Sequence, residues 1–174
     1  MKVLVMSDTH GLLREVEEII QFIHPDRVLH CGDSEMDPNI SPFKEMIMVR
    51  GNMDYASDLP LARTLRWKGI NVTITHGHRY HVKESLHSLQ VLAEETRAKI
   101  ILFGHSHFPL CREIRGVLYI NPGSLLRPRG YPVPTFALME LAERDDGIEV
   151  EVSFYNRSSF MKLPDLGGRY KVTS

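Results

Sequence analysis

The first ten residues constrain this chain more than any other stretch. Lys2-Val3-Leu4-Val5-Met6 is an apolar run, and it breaks at once into Ser7-Asp8-Thr9-His10-Gly11. A short apolar run bounded by a turn signal reads as a strand buried on both faces. The period then changes: Leu12, Leu13, Val16, Ile19, Ile20 and Ile23 recur at helical spacing. Asp8 and His10 therefore stand on a short loop at the carboxyl end of a central strand, where open α/β sheets place their ligand crevices. A carboxylate and an imidazole two residues apart there can be aimed at one point.

Later strands end the same way. Residues 26–31 form an apolar segment that stops at Gly32-Asp33, and residues 46–49 stop at Gly51-Asn52-Met53-Asp54. Residues 64–68 and 71–75 alternate around Gly69 and predict a hairpin whose second arm ends at His76-Gly77-His78. A brief helical segment is expected around Phe43-Lys44-Glu45. Residues 84–98 carry Leu86, Leu89, Leu92 and Ala93 on one face and predict an amphipathic helix. Residues 99–103 are a buried strand that stops at Gly104-His105-Ser106-His107. Residues 110–114 and 117–120 flank a turn at Gly116, and Asn121-Pro122-Gly123-Ser124 follows. Residues 135–141 and 148–155 are strands around the turn at Asp145-Asp146-Gly147. The early βαβαβ order and the later hairpins predict an α/β sandwich with mixed strand directions. With 174 residues, one domain over 1–174 is expected, with a loosely held tail from residue 157, where apolar residues thin out.

Composition excludes several classes. The formal net charge of −1 argues against a long nucleic-acid polymer or a membrane surface as partner. No apolar run reaches membrane-span length and no secretory segment opens the chain, so a cytoplasmic address is expected. Two cysteines, Cys31 and Cys111, make no disulfide framework. Histidine stands out: nine residues is about twice an ordinary share, and they cluster beside Asp and Asn, which is a metal signal.

In chain order, the polar blocks Asp8-Thr9-His10, Gly32-Asp33, Gly51-Asn52-Met53-Asp54, His76-Gly77-His78 and Gly104-His105-Ser106-His107 resemble the signature of the calcineurin-like metallophosphoesterases, in its small bacterial phosphodiesterase branch. Any block alone is weak; together and in order they are specific. The resemblance implies a sandwich of two mixed β-sheets flanked by α-helices. It also implies two divalent metal ions, Mn²⁺ first, with Zn²⁺, Fe²⁺ or Ni²⁺ as alternatives. One ion would take Asp8, His10, Asp33 and His107, the other Asp33, Asn52, His76 and His105, with Asp33 bridging. Attack of a metal-bridging hydroxide on phosphorus would follow.

One position departs from the family pattern. Many members carry a histidine after the motif asparagine, where this chain has Met53. Asp54 and His78 are the nearby candidates for catalytic help. Poor leaving groups need protonation most, so small phosphodiesters are favoured over alkyl monoesters. The rival readings are a phosphomonoesterase or nuclease, and a protein-interaction scaffold of the same fold, as a retromer subunit provides. A scaffold is expected to have lost ligands, and none of the implied set is missing. A homo-oligomer is left open. His24, His30, His81 and His87 read as structural or exposed, Cys31 as a small buried hydrophobe, Asp54 equally as a cap, and the 121–124 loop as lining the site. Arg79, Arg127 and Arg129 could grip a phosphate, but nothing in the sequence singles them out.

Overall fold

A computed structural model describes residues 1–55 and 58–173. Its elements run β1 (Lys2–Met6), α1 (Arg14–Ile23), β2 (Arg27–His30), a 3₁₀ turn (Phe43–Glu45), β3 (Ile47–Met48), β4 (Ala62–Trp67) and β5 (Ile70–Thr75). They continue with α2 (His87–Thr96), β6 (Ala98–Leu102), β7 (Leu110–Ile114), β8 (Val117–Asn121), β9 (Thr135–Arg144), β10 (Gly147–Asn156) and β11 (Gly168–Val172). One sheet has the order β11-β10-β9-β1-β2-β3, the other β4-β5-β6-β8-β7. In the first, β1, β2 and β3 are parallel and the remaining pairs antiparallel. In the second, β5, β6 and β8 are parallel and the outer pairs antiparallel. Both sheets are therefore mixed.

β1 shows why a short apolar run suffices. Its side chains alternate across the sheet. Val3 and Val5 enter the core between the sheets, with Val72, Ile74, Ile100 and Leu102 from the opposite one. Leu4 and Met6 face outward, under Val16, Ile19 and Ile23 of α1. On the other outer surface, α2 covers β6 through Leu89, Leu92 and Ala93 against Ile101 and Phe103. The layers run helix, sheet, sheet, helix. Each fully buried Leu or Ile contributes roughly 1.5–3 kcal/mol against exposure.

α2 is shorter than its pattern. Backbone bonds from Glu84 and Ser85 to the carbonyl of His81 form a turn, and Ala98 already pairs with Asn71 as the first residue of β6. The tail is a correction. It does not hang loose: Gly168–Val172 pairs with β10, from Ile148 opposite Val172 to Val152 opposite Gly168. Leu163 and Leu166 pack on the core, and Val172 is buried in it. The open edge of β10 offers N–H and C=O groups in register, so a strand with few apolar residues is held by backbone pairing and one inward valine. Ser174, the last residue of that segment, lies outside the described residues. Among the described residues no helix is long and apolar enough to cross a membrane.

Candidate metal centre

The two sheets bring the carboxyl ends of their parallel strands together. Asp8 and His10 follow β1, Asp33 follows β2, Asn52 follows β3, His76 follows β5, and His105 and His107 follow β6. Backbone bonds stitch the loops to one another. Asp8 N–H donates to Gly32 O at 3.0 Å, His10 N–H to Asp33 O at 3.1 Å, and Gly104 N–H to His76 O at 2.9 Å. Gly51 and Gly104 make the convergence possible. A Cβ on Gly51 would run into the Asp33 carboxylate and backbone nitrogen, and one on Gly104 into the Ser7 hydroxyl and Asp8 Oδ2. Asp8, His10, Asp33, His105 and His107 all have left-handed backbones, with φ of 53°, 44°, 56°, 67° and 58°. That conformation costs roughly 1–2 kcal/mol per residue, so the strain sits at the site while the core supplies the stability.

Within this cup, lone pairs face one another. His76 and His107 donate Nδ1–H to the carbonyls of Cys31 and Arg127, both at 2.7 Å. His10 Nδ1 is held by Glu35 Oε1 at 2.5 Å. With Nδ1 spoken for, each ring presents Nε2 to the cup, as metal-binding histidines do when a carbonyl or carboxylate holds their other nitrogen. The Asp8 Oδ1 atom is the focus: His107 Nε2 lies 3.0 Å away, His76 Nε2 3.8 Å and His10 Nε2 4.0 Å. His76 Nε2 also faces Asp33 Oδ2 at 3.3 Å and Asn52 Oδ1 at 3.1 Å. Asp8 Oδ1 and His10 Nε2 are buried without a hydrogen-bond partner. Acceptors gathered in this way call for positive charge, which a divalent ion with nitrogen and oxygen ligands supplies.

Among the described residues two groupings have the spacing to hold a metal: Asp8, His10 and His107, and Asp8, Asp33 and His76, with the ligand atoms of each within 4.8 Å of one another. The carboxylate common to both is Asp8, whereas the resemblance implied Asp33. Asp33 Oδ1 accepts the Met53 N–H at 2.7 Å and its Oδ2 faces His76. Electrostatics agree with an anionic cup. Burial pushes the Asp8 carboxyl up, but its neighbours His107 and His76 and the Ser7 hydroxyl outweigh that and bring it down to about 2. Burial, then the charges of His76 and Lys83, lowers His105 to about 4, so its imidazole is neutral at pH 7. The His105 N–H donates to Asp8 Oδ2 at 3.1 Å, and its ring packs against His76 at a centroid distance of 5.2 Å.

The two expected helpers are placed differently. His78 lies at the cup, its ring centroid 5.4 Å from that of His76 and 6.2 Å from that of His105. Asp54 is buried and its carboxylate is occupied by backbone: Oδ2 accepts N–H from Asp33 and Gly51 at 2.8 Å, and Oδ1 accepts from Glu35 at 3.0 Å. It neither caps a helix nor faces the cup as an acid or base; it ties the loops after β2 and β3 together. The 121–124 loop braces the cup from behind instead of lining it. Asn121 Nδ2 donates to Gly104 O at 3.0 Å, and Ser124 Oγ donates to Asp8 O at 2.8 Å. His30 is fully buried beneath, paired with Thr9 Oγ1 at 2.9 Å, while His24, His81 and His87 are exposed. Sequence reasoning missed Glu35, the partner of His10; its place two residues after Asp33 was the available signal.

Comparison with known proteins places this geometry in context. Residues 1–144 match the family model described as the calcineurin-like phosphoesterase superfamily domain. A Bacillus subtilis protein named probable metallophosphoesterase YsnB is 35% identical over 171 residues, covering 97% of this chain and 98% of that one. The crystal structure of a predicted phosphoesterase from Streptococcus pneumoniae superposes with a TM-score of 0.86 at 32% identity, covering 98% of this chain and 97% of that chain. The zinc complex of Vps29 from Entamoeba histolytica shares the fold, with a TM-score of 0.77 at 20% identity and coverage of 98% and 99%.

Proposed function

The chain belongs to the calcineurin-like phosphoesterase superfamily, and from that premise we propose that it is a dinuclear metal-dependent phosphodiesterase of small substrates. The observation that carries this reading is the buried cup in which three imidazole nitrogens converge on Asp8 Oδ1, an atom left without a hydrogen-bond partner. Asp8, His10 and His107 would hold one ion. Asp33, Asn52, His76 and His105 would hold the other, with Asp8 between the groups. Divalent ions bound there supply Lewis acidity toward phosphoryl oxygens and lower the pKa of water to roughly 7.

The chain's own residues set the rest. Glu35 and the carbonyls of Cys31 and Arg127 fix the orientation of His10, His76 and His107, so that each ring turns Nε2 into the cup. Asp54 is a positioning residue that keeps the loops bearing Asp33 and Asn52 in register. Hydrolysis of a diester joins water oxygen to phosphorus and breaks one phosphorus–oxygen bond. One proton of the water ends on the departing alkoxide, leaving a monoester and an alcohol. We assign delivery of that proton to His78, the half-buried imidazole beside His76 and His105. Met53 carries no proton to give, which disfavours alkyl monoesters with their poor leaving groups.

The test is hydrolysis of bis(p-nitrophenyl) phosphate beside p-nitrophenyl phosphate, after chelation and again with added Mn²⁺. Chelation is expected to abolish activity and Mn²⁺ to restore it, with the diester preferred. A folded protein inactive with every divalent metal would sink the enzymatic reading in favour of an interaction scaffold. The Met53→His variant is expected to raise kcat/KM for the monoester by about 100-fold, the low end for general acid catalysis; an unchanged diester-to-monoester ratio would refute the leaving-group argument.

A further inference from the structure

A cleft of about 810 Å³ opens beside the cup, between the start of α2 and the β6–β7 region. Ser106, the residue between His105 and His107, lines it. Arg129, also on its wall, donates its backbone N–H to His107 O at 3.1 Å. The cleft and the cup therefore share a loop. Lys83, Arg112 and Arg129 surround the cleft, and among the described residues none of them makes an ion pair. Only Glu84 opposes them there. In a chain of net charge −1, three cations against one carboxylate is a local excess of positive charge. Phe108 projects from the wall at 41% exposure with its ring edge against Gly130, and Leu86 adds an apolar surface.

A second groove, which meets the cup at Glu35 on the loop after β2, has the opposite character. Beside Met53 it is lined by Glu35, Asp37 and Asp58, with Lys44 as its one cation. A diester has two arms, and these surfaces sort them. Resting on the phosphodiesterase reading above, we propose that the substrate's arm in the first cleft is nucleotidic: a flat base against Phe108, and a further negative charge held by Lys83, Arg112 and Arg129. The acidic groove repels a second charged arm, so the substrate is a short nucleotide diester bearing its extra phosphate on one side. Arginine suits a terminal phosphate through paired N–H donors, and exposed aromatic rings accept any base face.

The experiment compares the dinucleotide pTpT with TpT, which lacks only the terminal phosphate, using the full chain. With Mn²⁺, kcat/KM for pTpT is expected to exceed that for TpT by about tenfold. In Arg112→Glu the ratio is expected to fall to about one or below. Equilibrium binding of the same pair under chelation reads the cleft without turnover, and the same preference and the same loss are expected there. Equal kcat/KM and equal binding of pTpT and TpT by the wild-type chain would overturn the proposal, as would a preference that survives Arg112→Glu in a variant with an unchanged melting curve. A binding preference without hydrolysis of any diester would uphold the cleft and overturn the catalytic reading instead.

Discussion

Replacing Asp8 by asparagine is expected to lower metal-dependent hydrolysis by about 1,000-fold or more, a barrier increase of roughly 4 kcal/mol, while leaving the fold intact. The side chain is fully buried, and its Oδ1 is the atom on which His10, His76 and His107 converge. Asparagine keeps the shape. Its carbonyl oxygen can still accept from the Ser7 hydroxyl and the His105 N–H, as Asp8 Oδ2 does at 2.5 and 3.1 Å. Its amide can donate to His107 Nε2, satisfying by hydrogen bonding what a cation would satisfy by charge. Because its neighbours hold the Asp8 carboxyl down at about 2, the charge stabilises the fold at neutral pH, and the variant is expected to melt somewhat below the parent while remaining folded. The check is metal content after dialysis, together with turnover of bis(p-nitrophenyl) phosphate and a thermal melt. Full metal content in the variant would remove Asp8 from the centre of the site.

The second large effect belongs to a residue with no side chain. Gly51→Ala is expected to destabilise the fold by about 3 kcal/mol, the upper end for overpacking, and to reduce turnover by about 100-fold or more. The added methyl meets the Asp33 carboxylate and, more seriously, its backbone nitrogen. A rotamer change can move the first but not the second, because the Asp33 N–H is held by Asp54 at 2.8 Å. Relief requires the loops after β2 and β3 to part, which carries Asp33 and Asn52 away from His76. Denaturant unfolding measures the first effect and steady-state hydrolysis the second. An alanine variant of parental stability and rate would mean that the approach of these loops is not needed.

Much of this was legible in the chain itself, because each polar block follows directly on an apolar run. The pattern marked the loops, the resemblance to the metallophosphoesterase signature picked Asp8, His10, Asp33, Asn52, His76, His105 and His107 from them, and the structure brings these residues to one cup. The β9–β10 hairpin and the division of β1 between two hydrophobic layers follow from alternation and length. The tail was misread because β11 is held by the open edge of β10, and a partner strand leaves no mark in the composition of its mate. Asp54 was read as a helper or cap for a similar reason: its bonds run to Asp33 and Glu35, 21 and 19 residues away.

What the sequence determined by itself was the inventory: which strands exist, where each ends, and which metal-capable side chains stand at those ends. These are properties of neighbours along the chain, set by periodicity and turn chemistry. Only the tertiary structure decided how the inventory is used. It put Asp8 in both groupings with metal-binding spacing, gave Glu35 to His10, turned Asp54 to backbone amides, and kept a cationic cleft apart from an acidic groove. Each of those depends on residues far apart in sequence meeting at distances near 3 Å, and such meetings are set by how two sheets pack, which no local pattern encodes.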